Sequence, residues 1–542
     1  MDSTEMFWFK NSIIYTLDVE VFKDSDNDGV GDFKGLLSRL GYIDSLGADA
    51  IWLSPFQPTP NGDDGYDITN FYEIDKRLGT FDDFQAFMDG AKARKIKVLM
   101  DLVLNHTSIE SNWFQDARKS PTSPYRKWYV WSKEKPENFD VGMVFPGVQK
   151  SIWDFDSVAG EYYYHRFYDF QPDLNTQNPD VVKETNKIVK FWIDKGLNGF
   201  RLDAVPFYIE KPETRGDKFE HDFKMLTNMR SYLKGLDPDA IILGEANVMP
   251  DENKDFFGER GEGIHMMFNF FVNQHLFYAL ATGDAASLKD ALQQTKEVPV
   301  NAEWGQFLRN HDEVDLGRLS DKDRKKVYAA FGPEKNMQLY DRGIRRRLAP
   351  MLQNNRAQLE LAYSLLLGLP STPVLRYGDE IGMGDDLRLK ERLSVRTPMQ
   401  WSPQTNAGFT RKDKPVRPIV NSPTFPVARI NVKVQESDSL SMLEWTRRMV
   451  KLRKETPEIG FGSWSIVDMH SDHILALYYT WKKKKLLVVH NFNKDPEEIS
   501  FALPGSSQLN LLDLVSNDSI FPAEKKFSIK INGYGYKWLR AE

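Results

Sequence analysis

Apolar residues along this chain follow two patterns, one with a helical period and one of short continuous runs. The segment from Phe33 to Leu46 is apolar at helical spacing and is followed by Gly47, which predicts an amphipathic helix with a glycine C-cap. Thr80 and Asp83 predict the capped start of another helix. Further helices are predicted in the segments 188–193, 223–236 and 359–367.

Short apolar runs alternate with these helical segments and predict buried strands. They occupy residues 12–15, 48–55, 98–106, 197–205, 240–247 and 372–380. Because nearly continuous apolar strands alternate with helices, we expect an α/β fold whose parallel sheet is covered on both faces.

Three of the apolar runs are followed at once by a carboxylate: GFRLDAV contains Asp203, ILGEAN contains Glu245 and FLRNHDE contains Asp312. A (β/α)₈ barrel carries its catalytic groups at the carboxyl ends of its strands. Retaining glycoside hydrolysis uses a carboxylate nucleophile and a carboxyl acid/base about 5–5.5 Å apart. Arg201 shares a strand face with Asp203 and would keep that carboxylate ionised. An isolated Arg-x-Asp is usually a structural ion pair, so the prediction of a (β/α)₈ TIM barrel with glycosidase chemistry depends on the three strings together.

Two segments interrupt the alternation, and the end of the chain changes character. Residues 107–175 are rich in Trp, Tyr, Pro and Ser, which predicts an inserted lid domain after the third strand, and residues 313–350 form a charged excursion. Short strands separated by turn residues follow residue 455. We therefore expect a barrel over 1–106 and 176–454, an inserted domain over 107–175 and an antiparallel β domain over 455–542.

Composition excludes several classes of partner. The 542 residues carry a net charge of −7, which gives no attraction to nucleic acid or to an anionic membrane. The chain has no cysteine, the start MDSTEMFWFKNSIIY does not resemble a signal peptide, and no apolar run approaches the ~20 residues of a membrane span. The expectation is a cytoplasmic enzyme that acts on a small molecule. The sequence leaves open whether it forms a homo-oligomer.

Five ordered motifs resemble those of the α-amylase superfamily, glycoside hydrolase family 13. They are DLVLNH (101–106), QPDLN (171–175), GFRLDAV, GEAN and RNHD. The resemblance implies that Asp203 is the nucleophile, Glu245 the general acid/base and Asp312 the third carboxylate, which helps to stabilise the transition state. It also implies that substrate is bound by Tyr66, Asp67, His106, Gln171, Arg201, His311 and Arg396.

Other strings favour an exo-acting branch of this family. By resemblance, Asp67 in DDGYDI and Arg396 in VRTPMQW would pair over the terminal 4-hydroxyl and close the cleft into a pocket. Together with YYYHRFYDFQPDLN and GIRRRLAP, these strings resemble the branch that interconverts maltose and trehalose by intramolecular glucosyl transfer. Exo-acting hydrolysis of α-glucosides or short α-glucans stays open as the alternative. A non-enzymatic binding protein is disfavoured because all three carboxylates are present.

Two sets of oxygen ligands suggest structural calcium, and no organic cofactor is expected. DSDNDGVGD places Asp24, Asp26, Asp28 and Asp32 at even spacing around Gly29, although a solvated acidic turn would have the same composition. The resemblance implies that this loop binds calcium, with the carbonyl oxygen of Val30 as a further ligand. It implies a second site formed by Asn105, Asp173 and Glu210 with the carbonyl oxygens of Phe207 and Tyr208.

Overall fold

A computed structural model of the protein describes residues 7–211, 219–503 and 510–542. The first elements in chain order are β1 (Ile14–Leu17), α1 (Phe33–Ser38), α2 (Leu40–Leu46), β2 (Ala50–Leu53), α3 (Phe81–Ala93) and β3 (Lys97–Leu102). The helix predicted from Phe33 to Leu46 is divided at Arg39, whose backbone is not helical and whose guanidinium lies over the ring of Trp401. Gly47 forms the predicted C-cap with φ +90°.

The helix α3 begins as predicted. The hydroxyl of Thr80 accepts from the backbone of Asp83, and the carboxylate of Asp83 accepts from the backbone of Thr80, which completes a capping box.

The segment after β3 forms a small sheet of its own. Its elements are α4 (Asn112–Ala117), β4 (Trp131–Ser132), β5 (Trp153–Asp156) and β6 (Glu161–Tyr164). The strands pair in the antiparallel order β4-β6-β5. The aromatic residues that make this segment unusual in composition form its core, where Phe114, Trp128, Tyr129 and Tyr163 are buried together.

The alternation of strand and helix then resumes. The next elements are α5 (Pro179–Asp194), β7 (Gly199–Leu202), α6 (Val205–Tyr208), α7 (Lys224–Leu236), β8 (Ile241–Gly244), α8 (Asn253–Phe257), β9 (Met266–Phe268), α9 (Phe270–Thr282), α10 (Ala286–Gln294) and β10 (Glu303–Phe307). The charged excursion forms β11 (Val314–Asp315), α11 (Asp321–Phe331), β12 (Gln338–Leu339), β13 (Gly343–Ile344) and α12 (Leu348–Met351). It is followed by α13 (Arg356–Gly368), β14 (Thr372–Arg376), α14 (Val432–Glu436), α15 (Met442–Lys454) and α16 (Pro457–Phe461).

Eight parallel strands close into a barrel in the order β1-β14-β10-β9-β8-β7-β3-β2. Its interior is filled by large side chains such as Trp52, Leu99, Leu243, Phe268 and Phe307, all buried. Because every strand runs the same way, all their carboxyl ends meet at one face of the barrel. The predicted α/β fold and TIM barrel are confirmed.

The end of the chain is antiparallel, as predicted. Its strands are β15 (Ser463–Ile466), β16 (Ile474–Trp481), β17 (Lys484–Asn491), β18 (Glu497–Phe501), β19 (Leu511–Asp513), β20 (Ser519–Ile520), β21 (Phe527–Ile531) and β22 (Tyr536–Ala541). They form a six-stranded sheet, β15-β16-β17-β22-β19-β20, and a pair, β18-β21. One of the predicted short strands, SQLNLLDLV (507–515), contains β19, and its residues before 510 lie outside the described part of the chain. Trp538 attaches the sheet to the barrel, since its Nε1 donates to Ser364 Oγ of α13 (2.9 Å).

No helix among the described residues is both long and apolar enough to cross a bilayer.

Candidate active site

The three predicted catalytic carboxylates lie together at the carboxyl face of the barrel. Asp203 directly follows β7 and Glu245 directly follows β8, while Asp312 lies five residues beyond β10. All three line one cavity of about 580 Å³, which is also lined by Tyr66, His106 and His311. This volume is within the range of about 300–1,000 Å³ that holds small-molecule ligands.

Arg201 lies between the carboxylates and is 1% exposed. Its Nη1 donates to Asp101 Oδ1 (2.7 Å) and forms a second, short contact with Asp203. Its Nη2 lies 2.9 Å from Glu245 Oε2. A buried cation must be paired and hydrogen-bonded, so these three carboxylates and one guanidinium hold each other in place. Glu245 is also oriented by the backbone N–H of Ala204, which donates to its Oε2 (3.1 Å).

The two carboxylates that share Arg201 differ in proton affinity. Burial raises the pKa of Glu245 to about 8, more than Arg201 lowers it. Burial also raises the pKa of Asp203, to about 6, against the opposing charge of Arg201. At neutral pH Glu245 is therefore mainly protonated while Asp203 is mainly ionised, which is the division of roles that an acid and a nucleophile require.

Asp312 has the opposite balance. Burial alone would raise the pKa of Asp312, but the positive charges of Arg392 and Arg396 outweigh it and lower the pKa. Arg396 Nη2 donates to Asp312 Oδ1 (3.0 Å), and Arg392 Nη1 lies 3.2 Å from the same oxygen. Asp312 therefore stays negatively charged at neutral pH.

Tyr66 and the two predicted histidines form one hydrogen-bonded group. The Tyr66 hydroxyl donates to Asp101 Oδ2 (2.9 Å) and lies 2.7 Å from His311 Nε2. The rings of Tyr66 and His311 are stacked, with centroids 5.3 Å apart and planes within 5°. His106 Nε2 lies 3.0 Å from the Tyr66 carbonyl oxygen. Burial lowers the pKa of both histidines, that of His106 to about 4, so each is neutral at physiological pH.

The prediction that Asp67 pairs with Arg396 is wrong. The Asp67 carboxylate accepts from Thr59 Oγ1 (2.9 Å), Gly62 N (2.8 Å) and Asp63 N (3.0 Å). These bonds satisfy both oxygens inside the loop, so Asp67 holds the loop's shape. Although Asp67 is fully buried, it does not line the cavity.

Arg396 instead links its neighbours in the cavity wall. Besides Asp312, its guanidinium donates to Asp64 Oδ2 (2.9 Å) and to the carbonyl oxygen of His311 (2.7 Å). Arg396 therefore positions Asp312 and His311. Its acidic partner in the string DDGYDI is Asp64, not Asp67.

Two cavity residues were missed by the sequence analysis. Asp63 lines the cavity, and its Oδ2 accepts from Nε2 of the predicted residue Gln171 (2.8 Å). Arg392 also lines the cavity, contacts Asp312 as described, and donates from Nε to Glu313 Oε2 (2.8 Å). Asp63 begins the string DDGYDI that contains Asp67, and Arg392 lies four residues before Arg396. The spacing alone does not show which side chain of each pair faces the cavity.

The inserted segment and the charged excursion meet above the cavity in a group that we call the roof: Phe145, Tyr168, Tyr340 and Arg342. The ring of Phe145 contacts those of Tyr168 and Tyr340, with centroids 4.6 and 4.7 Å away. Arg342 Nη1 donates to the carbonyl oxygen of Val144 (2.7 Å). The roof therefore joins two segments that are about 200 residues apart in the chain.

The acidic loop after β1 brings three of its four predicted carboxylate ligands of calcium together. Ligand oxygens of Asp24, Asp26 and Asp28 lie within 4.8 Å of one another. The carboxylate of Asp32 lies outside this group because it caps α1, where its Oδ1 accepts from Gly35 N (2.7 Å). Val30, whose carbonyl oxygen is the further predicted ligand, lies two residues after Asp28 and is half-buried. A set of hard carboxylate oxygens on one turn fits calcium.

The second predicted calcium set is less well matched. Asn105 is buried, and its Oδ1 has no hydrogen-bond partner among residues 7–211, 219–503 and 510–542, as a metal ligand requires. Glu210, however, has Arg166 Nη1 3.3 Å from its Oε1. The carbonyl oxygens of Phe207 and Tyr208 accept from Glu210 N (3.2 Å) and Thr176 Oγ1 (2.7 Å). Asp173 is also buried. Arg166 therefore already supplies positive charge at this position.

Known proteins resemble this chain over nearly its whole length. Residues 14–462 match the model of the α-amylase catalytic domain, and residues 484–540 match a sucrose hydrolase-like C-terminal domain. The trehalose synthase of Pimelobacter sp. (strain R48) is 37% identical, over 98% of this chain and 96% of its own length. The trehalose synthase of Thermus thermophilus is 38% identical over 98% of this chain, which spans 55% of that relative's length.

A solved structure supports the same relationship. The trehalulose synthase from Pseudomonas mesoacidophila MX-45 superposes with a TM-score of 0.77 at 26% identity, covering 99% of each chain. The α-amylase catalytic model spans more than half of the chain and covers the barrel, its inserted segment and all three carboxylates. The chain therefore belongs to the α-amylase family, glycoside hydrolase family 13.

Proposed function

We propose that this protein interconverts maltose and trehalose by moving a glucosyl group within the bound disaccharide. One observation carries the proposal: Arg201 holds Asp203 and Glu245 side by side, one ionised and one protonated, in a roofed cavity. The similarity to two trehalose synthases over 98% of the chain supports this choice of reaction.

The first half of the reaction breaks the glycosidic bond of maltose. Asp203 attacks the anomeric carbon, while Glu245 gives its proton to the oxygen of the leaving glucose. A covalent bond forms between Asp203 and the glucosyl group, and Glu245 is left ionised. Asp312 remains negatively charged and stabilises the positive charge on the ring in the transition state.

The second half runs the same chemistry in reverse with a different hydroxyl. The released glucose turns in the cavity, and its own anomeric hydroxyl loses a proton to Glu245 and attacks the glucosyl–enzyme. The bond to Asp203 breaks, and the new bond joins two anomeric carbons, which gives trehalose. If water attacks instead, the product is glucose. Synthase and hydrolase therefore share every catalytic residue and differ in whether water reaches the glucosyl–enzyme.

The roof provides the exclusion of water that transfer needs. Phe145 presents an apolar ring over the cavity, and Arg342 ties its neighbour Val144 to the excursion. Glu313 lies between Arg342 Nη2 (3.6 Å) and Arg392 Nε (2.8 Å), so the roof is also linked to the arginine that contacts Asp312. The closure of the roof and the position of Asp312 are therefore coupled through Glu313 and Arg392.

We also propose that calcium is held by Asp24, Asp26 and Asp28 with the carbonyl oxygen of Val30. The loop is tied to a distant segment, since Thr410 Oγ1 donates to Asp24 Oδ2 (2.5 Å). A bound cation would offset the repulsion between three neighbouring carboxylates and stabilise this junction, with no part in the reaction. For the second set, the buried oxygen of Asn105 supports calcium and the cation of Arg166 opposes it.

The test is ¹H NMR of the purified protein incubated with maltose, which resolves trehalose from free glucose. Trehalose as the main product is expected. Glucose alone would make the protein an exo-acting α-glucosidase and would contradict the role given to the roof. A lack of reaction with maltose would refute the proposal altogether.

A further inference from the structure

A second cavity, of about 440 Å³, lies at the opposite face of the barrel from the catalytic carboxylates. Glu303 is the first residue of β10 and Ser371 directly precedes β14, and both line this cavity. The amino ends of the strands therefore form its floor, whereas Asp203 and Glu245 follow the carboxyl ends. The cavity cannot be an extension of the active site.

Aromatic rings from the C-terminal part of the chain form one wall. Trp464 of β15, Trp481 of β16 and Phe461 of α16 all line the cavity and are partly exposed. The rings of Phe461 and Trp481 lie 5.9 Å apart, and Lys296 Nζ lies 5.1 Å from the ring centre of Trp464. Partly exposed rings at the mouth of a cavity offer flat apolar surface to a ligand that is apolar on its faces.

Polar groups with spare hydrogen-bonding capacity form the floor. Glu303 Oε1 accepts from Trp304 N (2.9 Å), while its Oε2 is 3.9 Å from Lys10 Nζ, longer than a direct hydrogen bond. Both side chains are about nine-tenths buried. The buried hydroxyl of Ser371 has no hydrogen-bond partner within the described part of the chain. The Ser371 hydroxyl is closed off from the cavity, so Glu303 Oε2 and Lys10 Nζ are the floor groups that have capacity for a ligand.

The charges that line the cavity specify a neutral ligand. Lys10 and Lys296 are opposed by Glu297 and Glu303, so an anion or a cation in the cavity meets groups of both signs. The ligand must donate to a carboxylate, accept from an ammonium group and present apolar faces to indole rings. A sugar, with hydroxyls around its edge and C–H groups on its faces, meets all three requirements.

We propose that this cavity is a second carbohydrate-binding site, which takes the end of an α-glucan chain with Trp464 and Trp481 as stacking surfaces and Glu303 and Lys10 as hydroxyl partners. The choice of an α-glucan among neutral sugars rests on the proposed function. The site would hold the protein on a polymer while the roofed cavity at the other face acts on small sugars.

Native affinity electrophoresis of the full chain in gels with and without glycogen tests the proposal. The wild-type protein should be retarded by glycogen, and Trp464→Ala should weaken the apparent affinity at least tenfold while maltose turnover stays unchanged. Phe521→Ala, which removes an exposed ring of the same β domain outside the cavity, is the matched control and should be retarded like the wild type. Asp63→Ala, which alters only the catalytic cavity, should also be retarded normally.

Equal retardation of Trp464→Ala and wild type, or no retardation of the wild type, would overturn the second site. If Trp464→Ala lowers the melting temperature, Glu303→Gln and Lys10→Met decide instead, and at least threefold weaker binding is expected of each. Normal retardation without conversion of maltose would leave this site standing and refute the proposed function, so the two failures are distinguishable.

Discussion

Replacing Arg342 with alanine should turn part of the transfer reaction into hydrolysis. Arg342 Nη1 donates to the carbonyl oxygen of Val144 (2.7 Å), and its guanidinium lies 3.2 Å from Asp315 Oδ2 and 3.6 Å from Glu313 Oε1. A hydrogen bond with a charged donor contributes about 1.5–3 kcal/mol. The side chain is 21% exposed, so each ion pair adds at most about 1 kcal/mol. Loss of the hydrogen bond to Val144 is the dominant effect.

The size of the change follows from the hydrogen bond. Each 1.4 kcal/mol shifts an equilibrium tenfold, so a loss at the lower end of this range, about 1.5 kcal/mol, should leave the roof open at least about ten times more often. Water then reaches the glucosyl–enzyme in proportion, and the ratio of glucose to trehalose should rise by about the same factor while the rate of maltose consumption changes little. The ratio is measured by ¹H NMR during the initial phase of maltose conversion.

The matched control is Arg356→Ala, which removes an arginine ion pair with Glu360 within α13 and does not alter the lining of the cavity. It should leave the product ratio unchanged. An unchanged ratio for Arg342→Ala, with a melting temperature equal to that of the wild type, would refute the account of how the roof excludes water.

Three further predictions concern proton affinity, substrate binding and metal binding. The pKa of Asp203 is about 6 and that of Glu245 about 8. The value of kcat/KM should therefore fall below pH 6 as the nucleophile is protonated, and above pH 8 as the acid is ionised. A Glu245→Gln variant whose kcat/KM still fell above pH 8 would count against this assignment. Asp63→Ala should lower kcat/KM for maltose by about 10- to 100-fold through loss of a carboxyl hydrogen-bond partner in the cavity, and wild-type kinetics would exclude Asp63 from the substrate site. Removal of calcium by a chelator should lower the melting temperature by a few degrees, as should Asp26→Asn, and a chelator that changed nothing would argue against a bound ion.

Sequence patterns predicted the barrel and the carboxylates because both are local properties. Asp203 and Glu245 each follow a short apolar strand directly, so their position at the carboxyl face depends only on recognising the strand. The antiparallel domain was equally visible, since β16 (ILALYYTW) is mostly apolar, β17 (KKLLVVHN) has the apolar centre LLVV, and a turn separates them.

Loop side chains were less predictable because their direction depends on hydrogen bonds that sequence spacing does not encode. Asp67 is turned inward by the backbone N–H groups of Gly62 and Asp63, which leaves Asp63 in the cavity. The carboxylate of Asp32 likewise accepts from the backbone N–H of Gly35 in the first turn of α1. In both cases a backbone N–H group that is close in sequence donates to the carboxylate and fixes its direction.

The roof could not be predicted from either of its segments alone. The rings of Phe145 and Tyr340 meet across 195 positions of the chain. Each segment by itself indicates only an insertion, and the contact between them depends on how both cross the barrel mouth. The feature that separates transfer from hydrolysis is therefore the least visible in the sequence.

The most direct test of the central claim is conversion of unlabelled maltose in the presence of excess ¹³C-labelled glucose, followed by ¹³C NMR. If the released glucose turns within the roofed cavity and attacks the glucosyl–enzyme before it can leave, the trehalose formed early in the reaction carries no label. Trehalose labelled in one of its two glucose units would show that the acceptor comes from solution, and would contradict an enclosed, intramolecular transfer.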